Sequence, residues 1–97
     1  MAKYLLLWKL DRSRYSDNPR ERGAGWSKLM EVVKKDLEKG GMKDWGVFAG
    51  EGRGYSVFEG SAEDLHLFIQ KYIPFVIFET HPVIDAGNAH EVIKKLA

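Results

Sequence analysis

Residues 74–83 read PFVIFETHPV, and this stretch completes the fold pattern of the chain. The consecutive apolar side chains at 75–78 predict a buried β-strand, because short apolar runs with aromatic and β-branched residues are typical of strands covered on both faces. The stretch becomes polar at Glu79 and His81, and we expect Pro82 to end the strand because proline cannot donate to a strand ladder. A final strand with a polar end is therefore predicted.

Upstream of this stretch, the hydrophobic period changes three times between strand-like and helix-like patterns. A strand is predicted over residues 4–10, followed by a helix from Trp26 whose apolar stripe is Trp26, Leu29, Met30, Val33 and Leu37. Two strands, over 44–49 and 55–59, are joined by a glycine-rich hairpin over 50–54. Ser61, with Asp64, then caps a second helix whose apolar stripe is Leu65, Phe68, Ile69 and Tyr72. The result is the order β-α-β-β-α-β.

Two further segments flank this pattern. Residues 11–25 are polar, contain an Asn-Pro breaker and two glycines, and predict a long connection with one helical turn after Pro19. After the last strand, a short helix is expected to begin near Asn88, with four apolar residues turned inward: Ala89, Val92, Ile93 and Leu96. The connection lies next to the end of the first strand, so we expect it to act as a lid.

The predicted order is that of an α+β ferredoxin-like domain, an antiparallel four-stranded sheet with helices on one face. At 97 residues the chain is long enough for one core and too short for two, so residues 1–97 are expected to form a single domain. Both sets of alternating strand residues are apolar. One set is Leu5, Leu7, Val47, Ala49, Val76 and Phe78, and the other is Leu6, Trp8, Phe48, Phe75 and Ile77. Two helices cover one face only, which predicts a homodimer.

Charge and composition exclude several classes of function. Fifteen basic residues against 14 acidic ones give a net charge of +1, which supplies no strong field for nucleic acid or anionic lipid. No segment approaches the roughly 20 apolar residues of a membrane span, so neither a nucleic acid nor a membrane is an expected partner. The chain has no cysteine, which excludes disulfides and thiolate sites and fits a cytoplasmic location.

Glu79 and His81 are the candidate catalytic pair. Two residues apart on a strand, they point to the same side with about 6.6 Å between their Cα atoms, so they can act on one ligand. A carboxylate beside an imidazole can move protons in general acid/base catalysis. The alternative is structural: Glu79 lies at a solvated sheet edge or pairs with Arg53, and His81 hydrogen-bonds the turn before Pro82.

Four large rings on the first three strands are candidate ligand-binding residues: Tyr4, Trp8, Trp45 and Tyr55. Core packing explains such rings equally well, because aromatic side chains carry large buried areas. The functional alternative is an apolar cleft between sheet and helices for a small cyclic molecule. His66 and His90 lack a partner at the spacing of a zinc helix, so no metal site and no cofactor are expected.

The distribution of Trp8, the hairpin glycines Gly50, Gly52 and Gly54, Glu59, and the FVIFETHPV strand resembles an uncharacterised family of small proteins described as a domain of unknown function. More distantly, the chain is similar to the dimeric α/β-barrel superfamily. That resemblance implies two ferredoxin-like protomers packed sheet to sheet, each with a ligand cleft between its sheet and helices. Superfamily members include cofactor-independent monooxygenases, muconolactone-type isomerases and haem enzymes, so the fold alone fixes no chemistry.

The sequence thus favours a homodimer that binds a small, partly apolar organic molecule. Acid/base or oxygenase-type chemistry without a cofactor is one extension of this hypothesis, with His81 as base and Glu79 orienting it. A non-catalytic assembly or scaffold module is the alternative, and the residues leave the choice between an enzyme and a binding protein open.

Overall fold

The computed structural model describes residues 2–97 and contains four strands and three α-helices within that range. They are β1 (Lys3–Leu10), α1 (Pro19–Lys39), β2 (Met42–Val47), β3 (Arg53–Glu59), α2 (Ala62–Gln70), β4 (Val76–Val83) and α3 (Ala86–Lys94). A short 3-10 turn, Arg12–Arg14, follows β1. The predicted order β-α-β-β-α-β with a terminal helix is confirmed.

The four strands form one antiparallel sheet in the order β2-β3-β1-β4. This is the ferredoxin-like arrangement, so the predicted α+β fold class is confirmed. The central strand β1 fixes the register of its neighbours: Leu7 lies opposite Tyr55 of β3 and opposite Glu79 of β4. This register determines which side chains share a face of the sheet.

One face of the sheet packs on α1 and α2 and forms the core. Its buried apolar residues are Leu6, Trp8, Val33, Met42, Phe58, Leu65, Phe68, Tyr72 and Val76. Phe68 of α2 connects the two layers, because its ring centroid lies 5.0 Å from that of Phe58 and 5.3 Å from that of Tyr72. Burial of each large apolar side chain contributes about 1.5–3 kcal/mol.

The other face, here called the open face, is not covered by any element of the chain within residues 2–97. It carries Lys3, Leu5, Leu7 and Lys9 of β1, Asp44 and Gly46 of β2, Arg53, Tyr55, Val57 and Glu59 of β3, and Ile77, Glu79, His81 and Val83 of β4. Ile77 is 47% exposed there. The prediction that both faces are apolar was wrong for the open face, because half of these side chains are lysine, arginine, aspartate, glutamate or histidine. The predicted grouping was also wrong: Val76 and Phe78 share the core face with Leu6 and Trp8.

Helix α1 begins at Pro19, so the prediction of a connection as far as residue 25 was wrong in its second half. The side chain of Asn18 caps the helix by accepting hydrogen bonds from the backbone N–H groups of Arg20 (2.9 Å) and Glu21 (3.3 Å). Pro19 occupies the first helical position, where its missing N–H costs nothing. Gly23 and Gly25 lie inside the helix on an exposed side, which lowers its propensity without breaking it.

The C-terminal part also differs from expectation. Strand β4 continues through Pro82 to Val83, which an edge strand tolerates because one side of its backbone needs no ladder donor. Helix α3 starts at Ala86 after the cap Asp85, and none of its residues is buried. Its apolar side chains were expected to turn inward, yet Leu96 beyond its end is 82% exposed. The elongated outline of 58 × 25 × 19 Å fits a terminal helix outside the core.

Candidate ligand-binding cleft

A cleft of about 930 Å³ lies between the core face of the sheet and α1. Its walls are mainly aromatic and aliphatic, and they include Trp8, Trp26 and Trp45, which are all three tryptophans of the chain. From β4 it takes Val76 and Phe78. Its size falls within the roughly 300–1,000 Å³ usual for sites that enclose small organic molecules.

Trp8 and Trp45 form the aromatic part of the floor. Their rings stack with centroids 5.4 Å apart and planes inclined by 12°. The indole N–H of Trp8 donates to the carbonyl of Tyr55 at 3.1 Å, so the ring is fixed in orientation. Gly54 makes this position available: a Cβ there would lie 2.6 Å from the Trp8 ring and would collide with the carbonyl of Gly46. The glycine therefore serves close approach, whereas Gly50, with φ +79°, serves the hairpin turn.

Ser56 is the polar group of the floor that sequence reasoning missed. It lies on β3 opposite Leu6 and Trp45, and it is 1% exposed. Its Oγ has no hydrogen-bond partner among residues 2–97. An unpartnered buried hydroxyl costs about 1–3 kcal/mol, so such groups are rare in native proteins. The available signal was the alternation of β3, in which Ser56 stands at an inward position between Gly54 and Phe58.

The mouth of the cleft is formed by the segment after β1 and the first turns of α1. Arg12 Nε donates to the Tyr15 hydroxyl at 3.2 Å, and this bond raises the pKa of Arg12. The Tyr15 ring meets Trp26 edge to face at 5.4 Å, and the Arg22 guanidinium lies 5.9 Å from the Trp26 ring centre. Beyond Tyr15 and Trp26 lies a second groove of about 380 Å³. Because residues 19–25 belong to α1, the predicted lid can involve only the loop that precedes Pro19, and its movement stays a prediction.

The far wall is held by a buried polar cluster. The hydroxyl of Tyr72, a lining residue, donates to Oδ2 of Asp36 at 2.6 Å, and Lys71 Nζ contacts Oδ1 of the same carboxylate. Burial, followed by the hydrogen bond to Asp36, raises the pKa of Tyr72. The cluster ties the turn after α2 to α1 and therefore holds this wall of the cleft in place.

Glu79 and His81 contact each other, but on the open face. His81 Nε2 lies 2.6 Å from Glu79 Oε2, and both side chains are largely exposed. Arg53, the alternative partner for Glu79, lies 3.6 Å from Glu51 instead. Because β4 directs Val76 and Phe78 to the cleft, the sheet separates the Glu79–His81 pair from it. The structure thus brings the two candidate catalytic residues together at a place other than the cleft.

The four candidate ring residues are also divided between the faces. Trp8 and Trp45 line the cleft. Tyr4 lies on the core face and packs against the core without lining the cleft. Tyr55 lies on the open face, where its hydroxyl donates to Asp44 Oδ2 at 2.8 Å, and this bond raises its pKa.

The side chains within residues 2–97 offer no cluster of three histidine, aspartate or glutamate residues that could hold a metal ion. No helix in the same range has the length and apolar character that crossing a bilayer requires.

A comparison with curated proteins found no match. A protein-family model, by contrast, matches nearly the whole chain. The match covers residues 2–97 and therefore includes the sheet, the cleft and all three helices. The chain therefore belongs to the family described as domain of unknown function DUF3303.

Proposed function

We propose that the protein is a homodimer in which each protomer binds a small, partly apolar organic molecule in the cleft between its sheet and α1. The observation that carries the proposal is Ser56, a buried hydroxyl without a partner that lines a cleft of about 930 Å³. A bound molecule that hydrogen-bonds to Ser56 would remove the cost of leaving that group unpaired. The stacked Trp8 and Trp45 rings offer an apolar surface beside it.

The homodimer is supported by the open face. Leu7, 36% exposed, and Ile77, 47% exposed, lie on the neighbouring strands β1 and β4, and exposed apolar side chains grouped on one surface are typical of interaction sites. A second copy is the simplest cover because a two-fold axis brings the same surface against itself.

The charges at the edges of the open face favour a second copy. Lys9 and Arg53 lie side by side at one end. Glu59 beside Lys3, and Asp44 on β2, lie toward the other end. A two-fold axis across the strands would place Lys9 and Arg53 of one protomer over the end of its partner that carries Glu59 and Asp44 as well as Lys3.

A second candidate function is acid/base chemistry at Glu79 and His81. The 2.6 Å hydrogen bond between them favours it, since a carboxylate that orients an imidazole is a recurrent device in proton transfer. A second sheet packed on the open face would enclose the pair between protomers. Under this alternative the substrate binds at the open face, so Glu79→Gln and His81→Ala abolish its turnover and leave binding of a molecule in the cleft unchanged. Unchanged turnover in both variants would remove the pair from consideration.

Native mass spectrometry of freshly purified protein tests the main proposal, because it reports the number of chains and any co-purified molecule together. We expect two chains with added mass, and we expect Ser56→Ala to lose most of that mass. Ser27→Ala is the matched control, because Ser27 is an exposed serine of α1 outside the cleft. A wild-type dimer without added mass, whose tryptophan fluorescence responds to no aromatic probe, would favour the assembly module instead.

A further inference from the structure

We propose that the molecule bound in the cleft is a flat aromatic compound with one anionic oxo group, such as a carboxylate or sulfonate, and that Arg12 and Arg22 bind this group at the mouth. This inference rests on the proposed function and adds the chemical class of the ligand. It follows from two features of the cleft: the hydrogen bonds that the two arginines leave unused, and the arrangement of the aromatic rings.

Both arginines face neutral partners within residues 2–97. Arg12 uses its Nε for the hydroxyl of Tyr15, so its two terminal amino groups remain free. Arg22 uses one terminal nitrogen, Nη1, for the backbone carbonyls of Ser16 (3.3 Å) and Asp17 (2.8 Å), so the edge formed by Nε and Nη2 remains free. Each free edge presents two parallel N–H donors, the geometry in which guanidinium groups bind carboxylates and other oxo anions bidentately.

The carboxylates near the mouth make no ion pair with these two arginines within residues 2–97. Glu51 lines the cleft, but its Oε1 lies 3.6 Å from Nε of Arg53, a residue outside the lining. Asp17 is the other acidic residue of the lining, and Arg22 holds its backbone carbonyl, not its carboxylate. No ion pair among the described residues involves Arg12 or Arg22. The mouth therefore offers two guanidinium groups to an incoming anion.

The arrangement of the three tryptophan rings favours a flat aromatic group in the rest of the ligand. Trp8 and Trp45 are nearly parallel, and Trp26 closes the opposite side near the mouth. A planar aromatic compound can lie along such walls with large contact area at low entropic cost, and offset or edge-to-face ring pairs add about 0.5–1.5 kcal/mol each. With the ring system inside and the anionic group at the mouth, one molecule satisfies both parts of the cleft.

Two fluorescent probes with the same rings separate the contributions. Anilinonaphthalene sulfonate carries the anionic group, and N-phenylnaphthylamine lacks it. All three tryptophans line the cleft, so quenching of tryptophan fluorescence reports binding there. We expect the sulfonate to bind more tightly than the neutral probe. Arg12→Gln and Arg22→Gln should each weaken sulfonate binding by about five- to tenfold and leave the neutral probe unchanged.

Arg20→Gln is the matched control, because Arg20 is an exposed arginine of α1, the helix that carries Arg22, and lines neither the cleft nor the second groove. It changes the net charge equally and should leave both probes unchanged. If the sulfonate and the neutral probe bind with equal affinity to all four proteins, the inference is wrong and the cleft remains a binding site. If neither probe quenches the tryptophans, the proposed function fails with it. Circular dichroism confirms that each variant keeps its fold.

Discussion

The hydroxyl of Tyr72 donates to the buried carboxylate of Asp36 across 2.6 Å and joins the turn after α2 to α1. Tyr72→Phe keeps the ring in the core but leaves Oδ2 without its donor, so we expect the free energy of unfolding to fall by about 1–3 kcal/mol. Urea denaturation measures this loss. Tyr55→Phe is the control, because its hydroxyl bonds the exposed Asp44 and should contribute less than about 0.5 kcal/mol. Equal losses in the two variants would contradict the argument.

The same tyrosine predicts how stability changes at alkaline pH. Burial and then the bond to Asp36 raise the pKa of Tyr72 above its ordinary value of 10.0, so the folded state keeps the proton to higher pH than the unfolded chain does. Its contribution is full below pH 10.0 and is lost as the pH rises further, at up to about 1.4 kcal/mol per pH unit. The free energy of unfolding should fall more steeply with rising pH in the wild type than in Tyr72→Phe. Identical slopes would refute the prediction.

Gly54 and Gly23 should respond to alanine in opposite directions. Alanine at position 54 would place a methyl group 2.6 Å from the Trp8 ring and against the carbonyl of Gly46. We expect a loss of about 2–4 kcal/mol and a changed tryptophan spectrum. Alanine at position 23 meets nothing within 4 Å on an exposed side of α1 and should add about 0.5–1 kcal/mol. Thermal unfolding of both variants checks the pair, and a neutral Gly54→Ala would contradict the close approach of the Trp8 ring and the Gly46 carbonyl to this position.

Ser56→Ala should stabilise the ligand-free protein and lower its affinity for the ligand. Removal of a buried hydroxyl that has no partner among residues 2–97 eliminates its desolvation cost, and we expect a gain of about 1 kcal/mol in the ligand-free protein. Ser27→Ala, on the exposed side of α1, should leave stability within about 0.5 kcal/mol. Denaturation of protein stripped of small molecules measures the difference. A marked loss of stability in Ser56→Ala would mean that its hydroxyl has a structural partner.

Ile77→Glu should separate the protomers. Ile77 is 47% exposed on the open face opposite Lys9, so a glutamate there is compatible with the folded protomer, but it replaces an apolar contact of the sheet interface with a charge that must lose its hydration. Sedimentation velocity should show a shift from two chains to one. Leu67→Glu is the control, because Leu67 is 67% exposed on α2, the helix that packs on the opposite face of the sheet. A wild type that sediments as a single chain at high concentration would exclude the dimer.

The fold was predictable because local signals agreed with one another. Ser61 caps α2 as expected, accepting from the backbone N–H of Asp64 at 3.1 Å, and the periods of the strands and helices gave the right order. The start of α1 was missed because Gly23 and Gly25 resemble a loop, whereas the Asn18 cap and the helical context outweigh their low propensity.

The site was only partly predictable, because the face of a strand residue depends on register. The alternation of β4 places Glu79 and His81 together, and that relation held. Whether they point to the helices depends on the pairing of Leu7 with Glu79, and a shift by one residue would reverse it. The isolation of Ser56 depends on how the Trp8 and Trp45 rings pack around it, which no spacing in the sequence encodes.

Helix α3 has nine residues, none of them buried, and a helix of that length is only marginally stable in water. Its backbone amides should therefore exchange with deuterated solvent almost as fast as those of an unstructured peptide whenever a protomer is alone. Slow exchange at Val92 and Ile93 in the intact protein would show that this terminal helix is stabilised by contact with a neighbouring molecule.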